Sequence, residues 1–387
     1  MRRTRWGAAG FAVAFLCACT NATVPPTNEP LQAARFDQIA GWPGDHLGES
    51  VRALHEECRR LALLPPDTPM GGQGIAALYG GKAWQWSAPC AAALGVSDKV
   101  VKAAQAYYQD WFQPYRVAAL TEFSGYFEPE VEAATVRGVG FTIPLLARPA
   151  DLVQRPAPAD QPGGQSIFGR ISDGAFVPYW SRSDIEAGAM GSAARPLFWL
   201  RDSSDLFFLQ IQGSGRLRLR DGNVVRVGYD GKNGRPYTPI GRVLVAERAI
   251  AAKDVTMQAI RGWLAAHPAD AKAVMDRNED YVFFRVLAGG DDGMGPPGAL
   301  GVPLTPGQSA AVDPRLVPLA TPIFVDTTDP ISGAPWRRLL LAQDSGTDIR
   351  GVARTDIFFG FGPLPEQEAG RMHEGGAEYV LLPRPSK

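Results

Sequence analysis

Apolar and polar positions change period along this chain. From residue 47 to 63 apolar side chains recur at helical spacing through Val51, Leu54 and Cys58. Residues 97–112 repeat the pattern through Val100, Val101, Ala104 and Tyr107. Two helices are predicted there, separated by a stretch, 65–86, that Pro and Gly break and that holds a short helix at 75–78. The period then falls to two. Ala118, Leu120, Glu122 and Ser124 alternate with their neighbours into Gly125-Tyr126-Phe127-Glu128, and Pro129 ends the strand because it has no N–H to donate. Residues 148–165 are Pro-rich and polar, a long loop. A short helix opens at 180–186, with Ser183 as cap and Glu186 three residues on. Residues 207–215 are expected as a strand leading to a Gly turn. Leu217 and Leu219 continue into an Asp221-Gly222 hairpin that returns through Val224, Val225 and Val227. A helix is predicted at 257–266, and further strands at 281–285, 302–304, 323–326 and 338–342. No fixed-period repeat is present.

Composition sharpens this picture. At 387 residues the chain has room for two domains, and 43 Gly with 33 Pro favours short strands and turns, so a mostly β fold is expected. A net charge of -1 gives no basic surface for a phosphate backbone, which excludes nucleic acid as a partner. The 4 His are scattered and no Cys/His cluster has zinc-like spacing, so neither a metal site nor a cofactor is expected.

The N-terminus reads as an export signal. Arg2, Arg3 and Arg5 precede an apolar run, residues 6–16, too short to span a bilayer. Leu16-Cys17-Ala18-Cys19 then resembles a lipobox, which would remove a signal peptide, 1–18, lipidate Cys19 and leave a tether, 19–45. The alternative is a plain cleaved leader. With no Asp directly after Cys19, the expected address is the periplasmic face of the outer membrane. In that oxidising compartment Cys58 and Cys90 are expected to pair, the alternative being two buried thiols.

Three groups of residues could carry chemistry. The first is Asp326, Asp344 and Asp356, on or beside separate strands that a closed barrel could bring to one mouth. Asp356 is followed by Ile357, Phe358 and Phe359, where lost hydration would raise its pKa toward that of a general acid. Taken singly, an Asp beside Gly, such as Asp344, Asp348 or Asp356, reads first as turn chemistry, and it is the three together that point to a site. The second group is Gln210, Gln212, Gly213 and Ser214 with Tyr229, Lys232 and Tyr237. Amides, hydroxyls and flat rings beside glycine turns suit a saccharide, or else hairpin turns over core aromatics. The third is Ser124, Tyr126 and Glu128, which a period of two places on one face. Glu128 is either the second carboxylate of a glycosidase or a strand-end charge.

Several long motifs occur in one order: Phe123-Ser124-Gly125-Tyr126-Phe127-Glu128-Pro129, the run 208–215, Gly228 to Tyr237, Asn278 to Arg285, and Asp344 to Gly360. Together they resemble the membrane-bound lytic murein transglycosylase A (MltA) family, with a C-terminal part similar to the 3D domain named for three aspartates, here Asp326, Asp344 and Asp356. Ser124 stands where the family usually has Thr. The resemblance implies a double-psi β-barrel from 46–127 with 276–387, a second β domain inserted at 128–275, and N-terminal helices. It implies an exolytic carbon–oxygen lyase that cuts the β-1,4 bond between N-acetylmuramic acid and N-acetylglucosamine in a peptidoglycan strand, leaving 1,6-anhydromuramyl ends. Asp356 would be the catalytic acid, with Asp344 and Ser124 beside it and the glycan held by Tyr126 and the second group. Proteins of cell-wall synthesis or division are further expected partners. A hydrolytic glycosidase and a non-catalytic, expansin-like wall-binding module are the alternatives.

Overall fold

The computed structural model describes residues 30–44, 46–156, 166–289, 293–346 and 348–385. The expected signal peptide, the lipidation site Cys19 and residues 19–29 of the tether lie outside the described residues. The rest of the expected tether is folded. Strand Leu31–Ala33 pairs antiparallel with Phe112–Val117, and Leu31, Phe36 and Ile39 are buried in the adjoining cores. These three apolar side chains give residues 30–44 a reason to pack.

Eight strands form one mixed sheet in the order Leu31–Ala33, Phe112–Val117, His373–Pro383, Pro322–Thr328, Pro335–Asp344, Ser309–Ala311, Arg354–Phe361 and Thr121–Glu128. Thr121–Glu128 also pairs antiparallel with His373–Pro383, so the succession of pairings returns to a strand already in it. Leu339, Leu340 and Leu341 are all at most 1% exposed, the continuous apolar run of a strand covered on both faces.

Past Pro129 the chain enters a second sheet. Its six strands run Val282–Val286, Val224–Lys232, Ser214–Leu219, Glu130–Ala134, Pro196–Leu200 and Ile143–Leu146. Three more, Val153–Arg155, Ile167–Ser172 and Ala175–Pro178, make a small third sheet.

Helices are more prominent than a mostly β reading allows, and among the described residues the fold is mixed sheets with helices. Leu47–Leu61, Ile75–Gly80, Ser87–Ala93 and Val101–Trp111 pack ahead of the eight-stranded sheet, and a Cys58–Cys90 disulfide joins the first to the third. Their shared core holds Val51, Leu54, Trp86 and Tyr108.

Three local expectations are corrected. Residues 203–212 are a helix, Ser203–Gln212, where a strand was predicted from 207. The Asp202 carboxylate caps it by accepting from Ser204 N–H, and Gly213 ends it at φ 77°, a left-handed conformation that glycine takes without strain. Leu206, Phe207, Phe208, Leu209 and Gln210 are all buried, so the apolar run carries no period that separates helix from strand. The 182–186 helix is capped by Ser181, not Ser183, and Asp184 closes the capping box. Val302-Pro303-Leu304 forms no strand, only an isolated bridge from Pro303 to Pro297.

Candidate active site

The first two sheets face each other across a cleft of about 720 Å³, lined from both sides. Ser124, Tyr126, Asp344 and Asp356 line it from the eight-stranded sheet. Gln210, Gln212, Gly213, Ser214, Tyr229, Lys232 and Tyr237 line it from the six-stranded side. These eleven sequence-derived candidates therefore meet in one place.

Strand register creates the acid site. Arg354–Phe361 runs parallel to Thr121–Glu128 with Asp356 opposite Ser124. The Ser124 hydroxyl donates to Asp356 Oδ1 at 2.5 Å and accepts from Arg354 Nη1 at 2.8 Å. Gly125, next along the strand, lets the Phe359 ring and helix Pro363–Arg371 pack close, since a Cβ there would meet that ring at 2.6 Å and the Ala369 Cα at 2.8 Å. Asp356 is partly open to the cleft and otherwise surrounded by protein. Burial pushes its carboxyl up, the Ser124 hydrogen bond and Arg354 pull it down, and Asp344 and Asp348 push it up; it comes to about 6.

Asp344 closes strand Pro335–Asp344 beside it. Its Oδ2 accepts from Tyr126 Oη and its Oδ1 from the Ala299 N–H, both at 2.9 Å. Burial raises this carboxyl, while the Ser345 N–H and Tyr126 oppose the rise. The same burial, with Asp344 and Asp356 nearby, drives the Tyr126 phenol well above its ordinary value. Tyr126 is thus a donor locked onto a carboxylate.

Two acids do not join the site. Glu128 is 0% exposed and pairs with Arg216 at 2.8 Å and Arg226 at 3.3 Å, where the strand passes toward the second sheet. It is not a cleft carboxylate; it is the charge that ends strand Thr121–Glu128, buried and paired. Beside it the neighbouring strand carries one extra residue between Phe358 and Phe361. Asp326 bonds Arg337 at 2.8 Å and does not line the cleft. Its place is taken by Asp348, an exposed lining residue.

On the opposite wall several candidates are already engaged. Gln210 accepts from Arg182 at 2.6 Å and donates to the Val282 carbonyl at 3.2 Å. Gln212 accepts from the Phe127 N–H at 3.0 Å and so fastens the end of the Ser124 strand. Tyr229 is 47% exposed and offers a ring face. Tyr237 is pushed up to about 12 by burial and by three carboxylates, Asp348, Asp280 and Asp356. Burial lowers Lys232, an effect Asp280 opposes.

Arg354, Asp280, Arg182 and Arg285 also line the cleft and were missed. Arg354 was findable, because a period of two sets it on the face of Asp356. Among the described residues no group of three His, Cys, Asp or Glu could hold a metal ion. None of their helices is long and apolar enough to cross a membrane. A carboxyl with a pKa of about 6, fixed by a hydroxyl and facing a cleft, can donate a proton and later take one back.

Residues 122–285 match the family model of the MltA specific insert domain, and residues 308–382 that of the 3D domain. Membrane-bound lytic murein transglycosylase A of Escherichia coli K12 is 29% identical over 272 residues, 68% of this chain and 66% of that protein. The crystal structure of the membrane-bound lytic murein transglycosylase from Agrobacterium tumefaciens superposes with a TM-score of 0.81 at 28% identity, covering 92% of this chain and 98% of that one. The lytic transglycosylase LtgG of Burkholderia pseudomallei is 35% identical with a TM-score of 0.58, covering 93% of this chain and 97% of its own. Insert and 3D domain in this order, with a relative of that identity matched along nearly its whole length, show that the chain belongs to the MltA family of lytic murein transglycosylases.

Proposed function

We propose that this protein cleaves the β-1,4 bond between N-acetylmuramic acid and N-acetylglucosamine in peptidoglycan, with Asp356 acting first as acid and then as base. The observation that carries the reading is the Asp356 carboxyl: set in the cleft, bonded to Ser124 and holding its proton up to about pH 6. In its acid form it donates to the bridging oxygen as the C1–O bond of the muramic sugar breaks. Positive charge gathers at C1 and the ring oxygen, where the Asp344 carboxylate stabilises it. The Asp356 carboxylate then accepts the proton of the muramic 6-hydroxyl as O6 bonds C1. That step closes the 1,6-anhydro ring and restores the acid. No water enters the products, and no metal or cofactor is called for.

A hydrolase would need a second carboxylate for water, and Glu128 is buried between two arginines. Asp344 is held by Tyr126 and Ala299, which suits electrostatic support. We read 46–127 with 276–387 as the double-psi β-barrel, a reading supported by the pairing of Thr121–Glu128 back onto His373–Pro383. The separate six- and three-stranded sheets support an inserted β domain from about 128, but strand Val282–Val286 belongs to its six-stranded sheet, which carries it past the expected end at 275. The relatives' description as membrane-bound supports an outer-membrane lipid anchor on Cys19.

The test is digestion of purified sacculi followed by mass spectrometry. Soluble muropeptides with anhydro ends are expected from the wild type. Asp356→Asn should cut the rate by roughly 10²–10⁴-fold, the usual loss for a general acid. Reducing ends would identify a hydrolase, and binding without release would identify a wall-binding module.

A further inference from the structure

Asp280 lies on the cleft wall opposite Asp356 and has no part in the chemistry above. It sits just ahead of strand Val282–Val286 and is 8% exposed. Its backbone is pinned: the carbonyl accepts from Arg182 Nη2 at 2.6 Å, and the N–H donates to Asn278 Oδ1 at 3.3 Å. The neighbouring Tyr281 N–H is held by Asn233 Oδ1 at 2.9 Å. A rigid turn therefore aims this carboxyl, yet its Oδ1 has no hydrogen-bond partner among the described residues.

An ionised carboxyl can only accept, so one buried without a full set of donors carries a desolvation cost that some other group must offset. Burial raises the Asp280 carboxyl, and Lys232 and Arg182 are the cations that oppose the rise. Arg182 is not spent on Asp280 alone: it bonds Gln210 and the carbonyls of Asn278 and Asp280. Tyr229 and Tyr237 stand close enough for the charge of Asp280 to act on both phenols. An acceptor, an ammonium and two phenol rings thus share one part of the cleft lining. A saccharide unit answers each of them: a polar N–H or O–H for the carboxyl, an acceptor oxygen for the ammonium, and a ring face for the half-exposed Tyr229.

We infer that Asp280 is a specificity-determining residue, which accepts a hydrogen bond from an N–H or O–H of a bound sugar while Lys232 and Tyr229 hold the same unit. The inference rests on the glycan-cleaving reading and adds to it a contact on the wall opposite the acid. Acetamide N–H and ring hydroxyl share this donor chemistry, and the sugar used in the test separates them.

The experiment is calorimetric titration of the full chain carrying Asp356→Asn, which leaves sugars uncut, with the N-acetylglucosamine hexasaccharide and with cellohexaose. Adding Asp280→Asn removes the charge at nearly constant shape, and Asp280→Ser is run beside it to guard against an Asn-specific fault. The dissociation constant for the N-acetylated sugar should rise at least about 10-fold, the low end for a hydrogen bond to a charged group. Loss for the N-acetylated sugar alone assigns the acetamide N–H, and parallel loss for cellohexaose assigns a hydroxyl. Unchanged affinity in either variant with the parent's thermal midpoint overturns the inference, as does failure of the parent to bind either sugar. Sacculus digestion by the wild type is a separate readout, so glycan cleavage can stand while Asp280 fails.

Discussion

Ser124→Ala is the perturbation that interrogates the acid most directly. The Ser124 hydroxyl donates to Asp356 and stabilises its ionised form, so removing it must raise the carboxyl pKa. A hydrogen bond to a charged group is worth about 1.5–3 kcal/mol. At 1.36 kcal/mol per pH unit that is about 1–2 units. Water entering from the open side of the cleft replaces part of the bond, which leaves about 1 unit. If Asp356 must be protonated to act, kcat/KM falls as pH rises through its pKa, and the half-point should move from about 6 to about 7. At pH 8 the protonated fraction would then rise from roughly 1% to roughly 9%. The low-pH plateau should drop, because the variant also loses the hydroxyl that Arg354 holds in place. The assay is the initial rate of soluble muropeptide release from sacculi between pH 4.5 and 8.5, at subsaturating substrate. An alkaline limb that stays put or moves to lower pH would falsify the assignment of Asp356 as the acid.

Other expectations concern stability. Glu128→Gln leaves Arg216 and Arg226 without their buried counter-ion and should cost about 3–5 kcal/mol in urea unfolding; a loss below about 1 kcal/mol would contradict the buried pairing. Reducing Cys58–Cys90, which closes a loop with a sequence separation of 32, should lower stability by about 3–4 kcal/mol on the chain-entropy account, read as a shifted urea midpoint with and without reductant. Glu378 is fully buried, and burial raises its carboxyl from 4.5 to about 7 against the hydrogen bond it accepts from Thr355. Both states hold the proton below pH 4.5, and above it the unfolded chain loses it first, so the folded state weakens between pH 4.5 and about 7. The loss should reach up to about 3 kcal/mol, and Glu378→Gln should flatten it; an equal slope in both proteins would count against this.

That Ser124, Tyr126 and Asp356 share one wall of the cleft was legible because the signals are local. Asp356 stands beside an apolar run on a strand, Ser124 and Tyr126 share a period of two, and glycines mark the close approaches. What could not be read depends on distant partners. Glu128 reads as a strand-end charge, and only the fold brings Arg216 and Arg226 to it from another sheet. Asp326 has the neighbourhood of a site residue, yet the Arg337 across the hairpin takes it. Residues 206–210 are all buried, and no period survives where five successive positions are covered. Asp280 sat within a quoted motif but gave no sign of which way it faced.

The Glu128 arrangement bears on how such a protein could arise and be re-engineered. An insertion that merely decorated an older sheet could be cut out and its ends rejoined. Here the cations that neutralise Glu128, and the Gln212 side chain that satisfies the Phe127 N–H, both come from the stretch between the first sheet and its return at Ser309. Excising that stretch would strand a charge and an amide inside the remainder. The two halves have become mutually obligatory, so recombination between relatives should exchange them together.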